Sequence, residues 1–297
     1  MEEFAGRVAV VTGGASGIGL GMARRFAKEG MRVVLADVEE GALEKARSEL
    51  ASAGNDVLAV RTDVSSLESV EALAERVYGT FGATHVLCNN AGVAGGGAGA
   101  AIWESSARDW QWVLGVNLMG VVHGIQAFVP RMLEHEEPSH IVNTSSILGL
   151  TTGNGSIYGV SKHGVTRLTE GLYLDLRVRK AKIGVSLLCP GLIATHIVTS
   201  SRNRPDALRN EDEVVTPEML KMRQTAQERF LEAGMPADQV GDIVFDAIRE
   251  RRFYVFTHPE QKPGVERRLR SIMNEEPPRD GLAPRRAPEA PAPSSVD

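Results

Sequence analysis

From the N-terminus to Cys189, short and almost uninterrupted apolar runs alternate with longer amphipathic stretches. That alternation constrains the fold more tightly than any other feature. Runs at 7–12 (RVAVVT), 32–37 (RVVLAD), 56–62, 84–89, 140–144 and 183–189 read as strands, with 253–256 as a last short one. Their apolar residues do not alternate with polar ones, as they would in a sheet wetted on one face. Strands of this kind are covered on both faces, which requires a parallel sheet between helix layers. Helical patterns at 17–30, 39–53, 66–81, 105–133 (with a break near Asn117) and 157–179 supply those layers. The expected architecture is a doubly wound α/β fold in a single domain over 1–275.

Two segments leave this rhythm. The long stretch 196–235 holds no strand; it is polar at first and helical over 217–231. A connection of that length inside a compact domain points to a substrate loop or lid. Met219, Leu220, Met222, Phe230 and Leu231 give the helix an apolar side, which either covers a cleft or packs as an ordinary amphipathic face. The second segment, 276–297, is Pro- and Ala-rich: six of the chain's 14 prolines fall within it. It reads as a disordered tail.

Composition removes several classes of function. Two cysteines, Cys88 and Cys189, cannot build a disulfide framework or a zinc cluster, and both sit in apolar runs as expected of buried thiols. Seven scattered histidines lack ligand spacing, so no metal site is expected. A net charge of −5 argues against nucleic-acid binding. No uninterrupted apolar run approaches the ~18 residues of a membrane span, and Met1-Glu2-Glu3 lacks the basic start of a secretory signal. A cytoplasmic protein with no membrane partner is the expectation.

Glycine is in excess, at 31 residues, and the excess begins in Val10-Val11-Thr12-Gly13-Gly14-Ala15-Ser16-Gly17-Ile18-Gly19. This segment runs from the first strand into the first helix. Glycines let the backbone turn sharply and approach a phosphate, while the helix N-terminus offers free N–H groups and a partial positive charge. Asp37 ends the next strand, at the distance from Gly19 where a dinucleotide fold places its ribose-binding acid. Its carboxylate is placed to accept hydrogen bonds from an adenosine ribose and to repel a 2′-phosphate. Neither Ser16 nor Val38 supplies the cation that a 2′-phosphate needs, so NAD is expected over NADP. Asp37 is also a preferred cap for the helix at 39–53, and the two roles are compatible.

Tyr158 and Lys162 lie four residues apart on a helical pattern and so share a face. An ammonium beside a phenol lowers a pKa that is ordinarily ~10, which would suit the tyrosine to general acid–base work. Ser146 stands shortly before them, just after the strand at 140–144. Open α/β sheets bind ligands at such strand ends.

With these residues in place the chain resembles the short-chain dehydrogenase/reductase family. Thr12–Gly19 fits its TGxxxGxG, Asn89-Asn90-Ala91-Gly92 its NNAG, Tyr158 and Lys162 its YxxxK, and Pro190–Thr195 its PGxxxT. The motifs occur in the family's order over roughly residues 5–195. The resemblance implies a Rossmann-type doubly wound parallel sheet flanked by helices. It implies a catalytic tetrad of Asn117, Ser146, Tyr158 and Lys162: Tyr158 moves the proton, Lys162 holds the nicotinamide ribose, Ser146 orients the substrate oxygen and Asn117 supports an ordered water. It places Asp63 and Val64 at the adenine, and Asn90, Ala91 and Gly92 along the cofactor. Pro190, Gly191, Ile193 and Thr195 would flank the nicotinamide, while Gly13, Ser16, Gly17, Ile18, Gly19, Asp37 and Val38 would hold the phosphates and adenosine ribose.

One spacing departs from the pattern. The family sets its serine thirteen positions before its tyrosine; Ser145 is thirteen away and Ser146 twelve. The following Ile-Leu-Gly fits the family's SxxG when Ser146 is catalytic, which puts a one-residue deletion in the loop 150–157. Ser145 is the alternative.

Other residues carry weaker expectations. Trp103, Trp110 and Trp112 read as core or helix-packing residues, and His196 as a solvent-facing loop residue, a substrate contact being the alternative. The glycine run 95–99 either borders the substrate cleft or simply lends flexibility. The long apolar patterns at 109–132 and 157–176 exceed what one sheet face needs; relatives pack the corresponding helices against a second subunit, which implies a homodimer or homotetramer.

The expected protein is an NAD-dependent oxidoreductase interconverting a secondary alcohol and a ketone, oxidation being the favoured direction. Its substrate would be bulky and apolar: a steroid, terpenoid or aromatic alcohol. The runs at 114–122 and 128–132 also resemble bacterial dehydrogenases of lignin-derived aryl ethers. The alternatives are an NADP-dependent carbonyl reductase and a nucleotide-binding regulator with a weak active site; an intact tetrad disfavours the second. An extended-branch epimerase would carry TGxxGxxG at the turn.

Overall fold

A computed structural model describes residues 3–95, 101–153, 156–210 and 216–278. The chain alternates β1 (Val8–Thr12), α1 (Gly17–Lys28), β2 (Arg32–Asp37), α2 (Glu40–Ser52), β3 (Val57–Arg61), α3 (Leu67–Phe81) and β4 (Val86–Asn89). It continues with α4 (Ala107–Leu114), α5 (Gly120–Glu134), β5 (Ser139–Thr144), α6 (Ile157–Val178) and β6 (Ile183–Cys189). Helices α7 (Pro217–Ala233) and α8 (Ala237–Glu250), strand β7 (Tyr254–Phe256) and helix α9 (Lys262–Met273) complete it. The strands form one parallel sheet in the order β3-β2-β1-β4-β5-β6-β7. The strand order reverses between β1 and β4, the crevice where open α/β sheets hold ligands.

The uninterrupted apolar strands are explained by burial on both sides. Ala9, Val11, Val33 and Leu35 face one layer with Met22 and Phe26 of α1, Leu43 and Leu50 of α2, and Val244 and Ile248 of α8. Val8, Val10 and Val34 face the other, with Leu73 and Val77 of α3, Phe128 and Met132 of α5, and Leu176 of α6. Each large side chain so buried contributes roughly 1.5–3 kcal/mol. Helices α1 and α8 touch backbone to backbone. A Cβ on Gly241 would stand 2.3 Å from the Gly21 carbonyl oxygen, and one on Gly21 would stand 2.3 Å from that of Ala237.

The structure refines two expectations and corrects one. The break near Asn117 in the helix at 105–133 is a π-helical turn, Gly115–Met119, through which α4 passes into α5. The continuous run Ala107–Glu134 is long and apolar enough to cross a membrane by length and composition, and half of its most apolar window is buried in the protein. Trp103 is 83% exposed, whereas Trp112 is buried; a lone aromatic beside a glycine run carries no periodicity to place it. Cys88 and Cys189 are buried free thiols as expected, both pushed above the usual range by burial. Most of the glycine run, the middle of the loop 150–157 and the tail from 279 onward lie outside the described residues.

Candidate active site

The glycine turn is built for close approach. Gly13 and Gly17 have positive φ, 64° and 51°, a region that side-chain-bearing residues rarely adopt. A Cβ on Gly19 would lie 2.0 Å from the Gly13 carbonyl oxygen, and one on Gly17 would meet Thr195 at 2.9 Å. Ser16 is the N-cap of α1, yet its side chain makes no capping hydrogen bond. The first-turn N–H groups at Gly17, Ile18 and Gly19 are therefore left for an anion.

Asp37 braces this turn. Its Oδ2 accepts from Ala15 N at 3.1 Å and its Oδ1 from Glu39 N at 3.1 Å. Burial raises its pKa above the ordinary value, and these backbone donors oppose the shift. The N-cap of α2 is Glu39, so Asp37 holds the approach to that helix without being its cap. Val38 beside it is exposed. Beyond the end of β3, Asp63 Oδ1 accepts from the Ser65 N–H and hydroxyl, and the buried Val64 packs where a Gly120 side chain would otherwise lie.

Thr12 ties the turn to the segment after β4. Its Oγ1 accepts from Asn90 N at 2.9 Å and Ala91 N at 3.1 Å and donates to the Cys88 carbonyl. The Asn90 side chain donates to Thr12 O and accepts from the Thr144 hydroxyl. The motif alone gives Thr12 no role of its own, although Thr12 heads it.

Asn117 is fully buried in the π-helical turn, and such turns recur at functional sites. Its Oδ1 accepts from Val93 N at 2.8 Å, and its Nδ2 donates to Val93 O and to Ser161 Oγ, both at 3.0 Å. Lys162 is buried, and its Nζ donates to the Thr144 carbonyl at 2.9 Å. That carbonyl is its one acceptor among the described residues, so two ammonium protons remain to bind a ligand. The Lys162 nitrogen lies 5.6 Å from the centre of the Tyr158 ring. A Cβ on Gly92 would sit 3.4 Å from Asn117 Oδ1 and 3.5 Å from Lys162 Nζ; glycine leaves that space open.

Burial raises the phenol pKa of Tyr158, the neighbouring Ser146 hydroxyl lowers it by less, and the net shift is upward. Burial lowers Lys162 to about 8. The expected lysine-driven lowering of Tyr158 is thus absent in the chain alone, because both groups are desolvated together. Ser146 Oγ also accepts from Leu148 N. The Ser145 hydroxyl turns away, towards α6, and donates to Lys162 O at 2.8 Å.

After β6, the Pro190 carbonyl accepts from Ile147 N and Gly191 N donates to Thr257 Oγ1. Ile193 is buried and bridges Met235, and Thr195 O accepts from Gln227 Nε2 of α7. His196 is exposed. On α7, Leu220, Met222 and Leu231 are exposed while Met219 and Phe230 are half-buried, so only part of its apolar side packs. Sequence spacing also gives no sign of a bidentate ion pair between Arg202 and Glu39, joined by Asn203.

The model of a family described as short chain dehydrogenase matches residues 7–206. A short chain dehydrogenase/reductase from Burkholderia phymatum, solved in complex with NAD, is 47% identical; the alignment covers 95% of this chain and 100% of that one, with a TM-score of 0.89. A CLA biosynthesis dehydrogenase/reductase of Lactiplantibacillus plantarum is 32% identical over 93% of this chain and 96% of its own length. A 1-deoxy-11-beta-hydroxypentalenate dehydrogenase of Streptomyces arenae is 36% identical over 86% and 83%. Other similar oxidoreductase structures hold NADP or NADPH.

Proposed function

The chain belongs to the short-chain dehydrogenase family and is an oxidoreductase, and from that premise we propose that it oxidises a bulky, apolar secondary alcohol with NAD, Tyr158 serving as the general base. The observation that carries the proposal is the convergence of Asn117, Ser146, Tyr158 and Lys162 beside a glycine-lined crevice at the strand ends.

The residues present fit a dinucleotide: the uncapped α1 N-terminus suits a pyrophosphate, Asp37 an adenosine ribose, and the open space at Gly92 a second ribose against Lys162. Gly13, Ser16, Gly17, Ile18 and Gly19 would hold the phosphates, and Val38, Asp63 and Val64 the adenosine. Asn90, Ala91, Gly92, Pro190, Gly191, Ile193 and Thr195 would line the remainder. When bound, the cofactor supplies a hydride acceptor and a positive charge beside the phenol.

Ser146 Oγ donates to the substrate oxygen and fixes it within reach of Tyr158. The phenolate takes the alcohol proton as the carbon gives up its hydride. Lys162 as ammonium stabilises that phenolate, offsetting the desolvation that otherwise keeps the phenol protonated. Asn117 holds the backbone at Val93 and the Ser161 hydroxyl, which fixes the wall behind Lys162. In the reductive direction the same groups run in reverse.

Val93, Trp112, Val113 and Ile157 form an apolar cluster with Leu208 packed on it, next in sequence to Tyr158; this wall supports the apolar substrate. The Streptomyces relative is named for a hydroxypentalenate. Asp37 supports NAD over NADP. Val160, Leu174 and Val178 of α6 are exposed, which supports a homodimer or homotetramer through that helix.

The test is a panel of secondary alcohols assayed with NAD and NADP by the absorbance of the reduced cofactor. Wild type should turn over with NAD in preference to NADP. Tyr158→Phe should lose at least ~100-fold in kcat while still binding NADH. Undiminished activity in that variant would overturn the mechanism; better turnover with NADP would overturn the cofactor assignment.

A further inference from the structure

The segment after β6 runs across the cofactor crevice. It starts at Thr195, against Gly17 of the phosphate turn, and continues as a 3-10 helix, Ile197–Asn203. Ser200 Oγ accepts from Ala94 N at 3.0 Å on the β4 side. The far end reaches Glu39, two positions beyond Asp37. Arg202 Nη2 donates to Glu39 Oε1 at 2.6 Å and Arg202 Nε to Oε2 at 3.3 Å, while Asn203 Nδ2 donates to Oε1 at 2.7 Å. The remaining Arg202 Nη1 donates to His196 O and Thr199 O.

An exposed ion pair usually contributes little to stability. This one matters for what it withholds. A guanidinium is the group best shaped to grip a phosphate through two hydrogen bonds, and Arg202 brings one to the edge of the ribose site from a distant part of the chain. Its fork is already filled by a carboxylate. The Glu39 N–H donates to Asp37 Oδ1, and the Glu39 charge adds to the upward shift of Asp37. A 2′-phosphate arriving there meets two acids and a cation that is already neutralised.

We propose that Glu39 determines nucleotide specificity: by occupying Arg202 it denies a 2′-phosphate the cation it would otherwise find. The inference rests on the placement of the adenosine ribose at Asp37 described above. With Glu39 neutral, Arg202 is free to pair with a 2′-phosphate, and discrimination falls to Asp37 alone.

Dissociation constants for NADH and NADPH, titrated into the full chain by nicotinamide fluorescence, test this in wild type, E39Q, R202Q and E39Q/R202Q, each checked for folding by thermal melting. Wild type should bind NADH more tightly. E39Q should shift the NADPH-to-NADH affinity ratio at least tenfold towards NADPH, R202Q should leave NADPH disfavoured, and the double variant should lose the gain. Equal weakening of both nucleotides in E39Q means that the pair only anchors the loop, which overturns the proposal. A gain that survives in the double variant overturns it too, because the cation is then not Arg202. Wild type that binds neither nucleotide, or prefers NADPH, overturns the underlying cofactor assignment before any variant is compared.

Discussion

The Ser145 hydroxyl donates to the Lys162 carbonyl oxygen at 2.8 Å and also lies 3.0 Å from Thr166 Oγ1. It is a tie between the end of β5 and helix α6, while the Ser146 hydroxyl beside it neighbours the Tyr158 phenol and lowers its pKa. The two alanine variants should therefore separate. Ser146→Ala should lower kcat by ~10²–10³, the usual loss for one donor to a developing oxyanion, beyond the ~1 kcal/mol of stability lost with its Leu148 N–H bond. Ser145→Ala should cost about 1 kcal/mol of stability and leave most of kcat. The reverse pattern would transfer the substrate contact to Ser145.

Lys162 gives stability a specific pH dependence. Its pKa is about 8 in the folded chain and ~10.4 when unfolded, so between these values the unfolded state binds more protons. Stability contributed through this group is lowest below pH 8 and rises with pH towards 10. Tyr158, shifted upward, reverses the trend only above its own ordinary value of ~10. Urea unfolding of wild type minus that of Lys162→Met, followed from pH 7.5 to 9.5, should show the rise. A flat difference would mean that Lys162 is not desolvated as described.

The α1–α8 contact predicts opposite signs for two glycine substitutions. Gly241→Ala places a methyl group 2.3 Å from a backbone oxygen, and relieving that clash should cost about 3 kcal/mol. Gly41→Ala, on the exposed face of α2 with nothing within 4 Å, should stabilise by ~0.5–1 kcal/mol through helix propensity and a less flexible unfolded chain. Equal effects in urea melts would contradict the close helix approach.

His85 sets an acid limit. Val8 N donates to its Nδ1, its Nε2 faces Glu137, and burial holds its pKa down to about 4. The unfolded chain takes up this proton near pH 6.5, so the contribution present at pH 7 is lost as pH falls below that value. At pH 5 the loss is about 1–2 kcal/mol once screening by solvent at the ring's outer edge is discounted. His85→Asn keeps an acceptor for Val8 N and removes the titration, so its stability should fall less between pH 7 and 5. A drop as large as that of wild type would exclude His85 as a source.

The strands are legible in the sequence because burial on both faces leaves a run such as Val8–Thr12 or Ile183–Cys189 without charged interruptions. The dinucleotide turn and the Tyr158–Lys162 pair are legible because their chemistry is local, within one turn of backbone or helix. What escapes is mostly non-local. Nothing near Glu39 signals Arg202, since the loop that carries it is aimed by tertiary structure. Burial likewise reverses the shift expected for Tyr158, because sequence spacing reports a neighbouring charge but not the solvent it displaces. Helix α8 is different: Val240, Val244, Phe245 and Ile248 recur at helical spacing, but no motif or strand stands directly before it to mark where it begins.

The pairing of α1 with α8 has a consequence for biosynthesis. Helix α1 carries Met22, Ala23 and Phe26, all completely buried in the finished protein. Strands β1 and β2 share that core, but α8, which meets α1 backbone to backbone at Gly21, follows only after six of the seven strands have been made. At translation speeds of ~5–20 residues per second, the α8-facing side of α1 waits on the order of ten seconds or more for its partner. The nascent protein is therefore a natural client for a holding chaperone until Ile248 has cleared the exit tunnel.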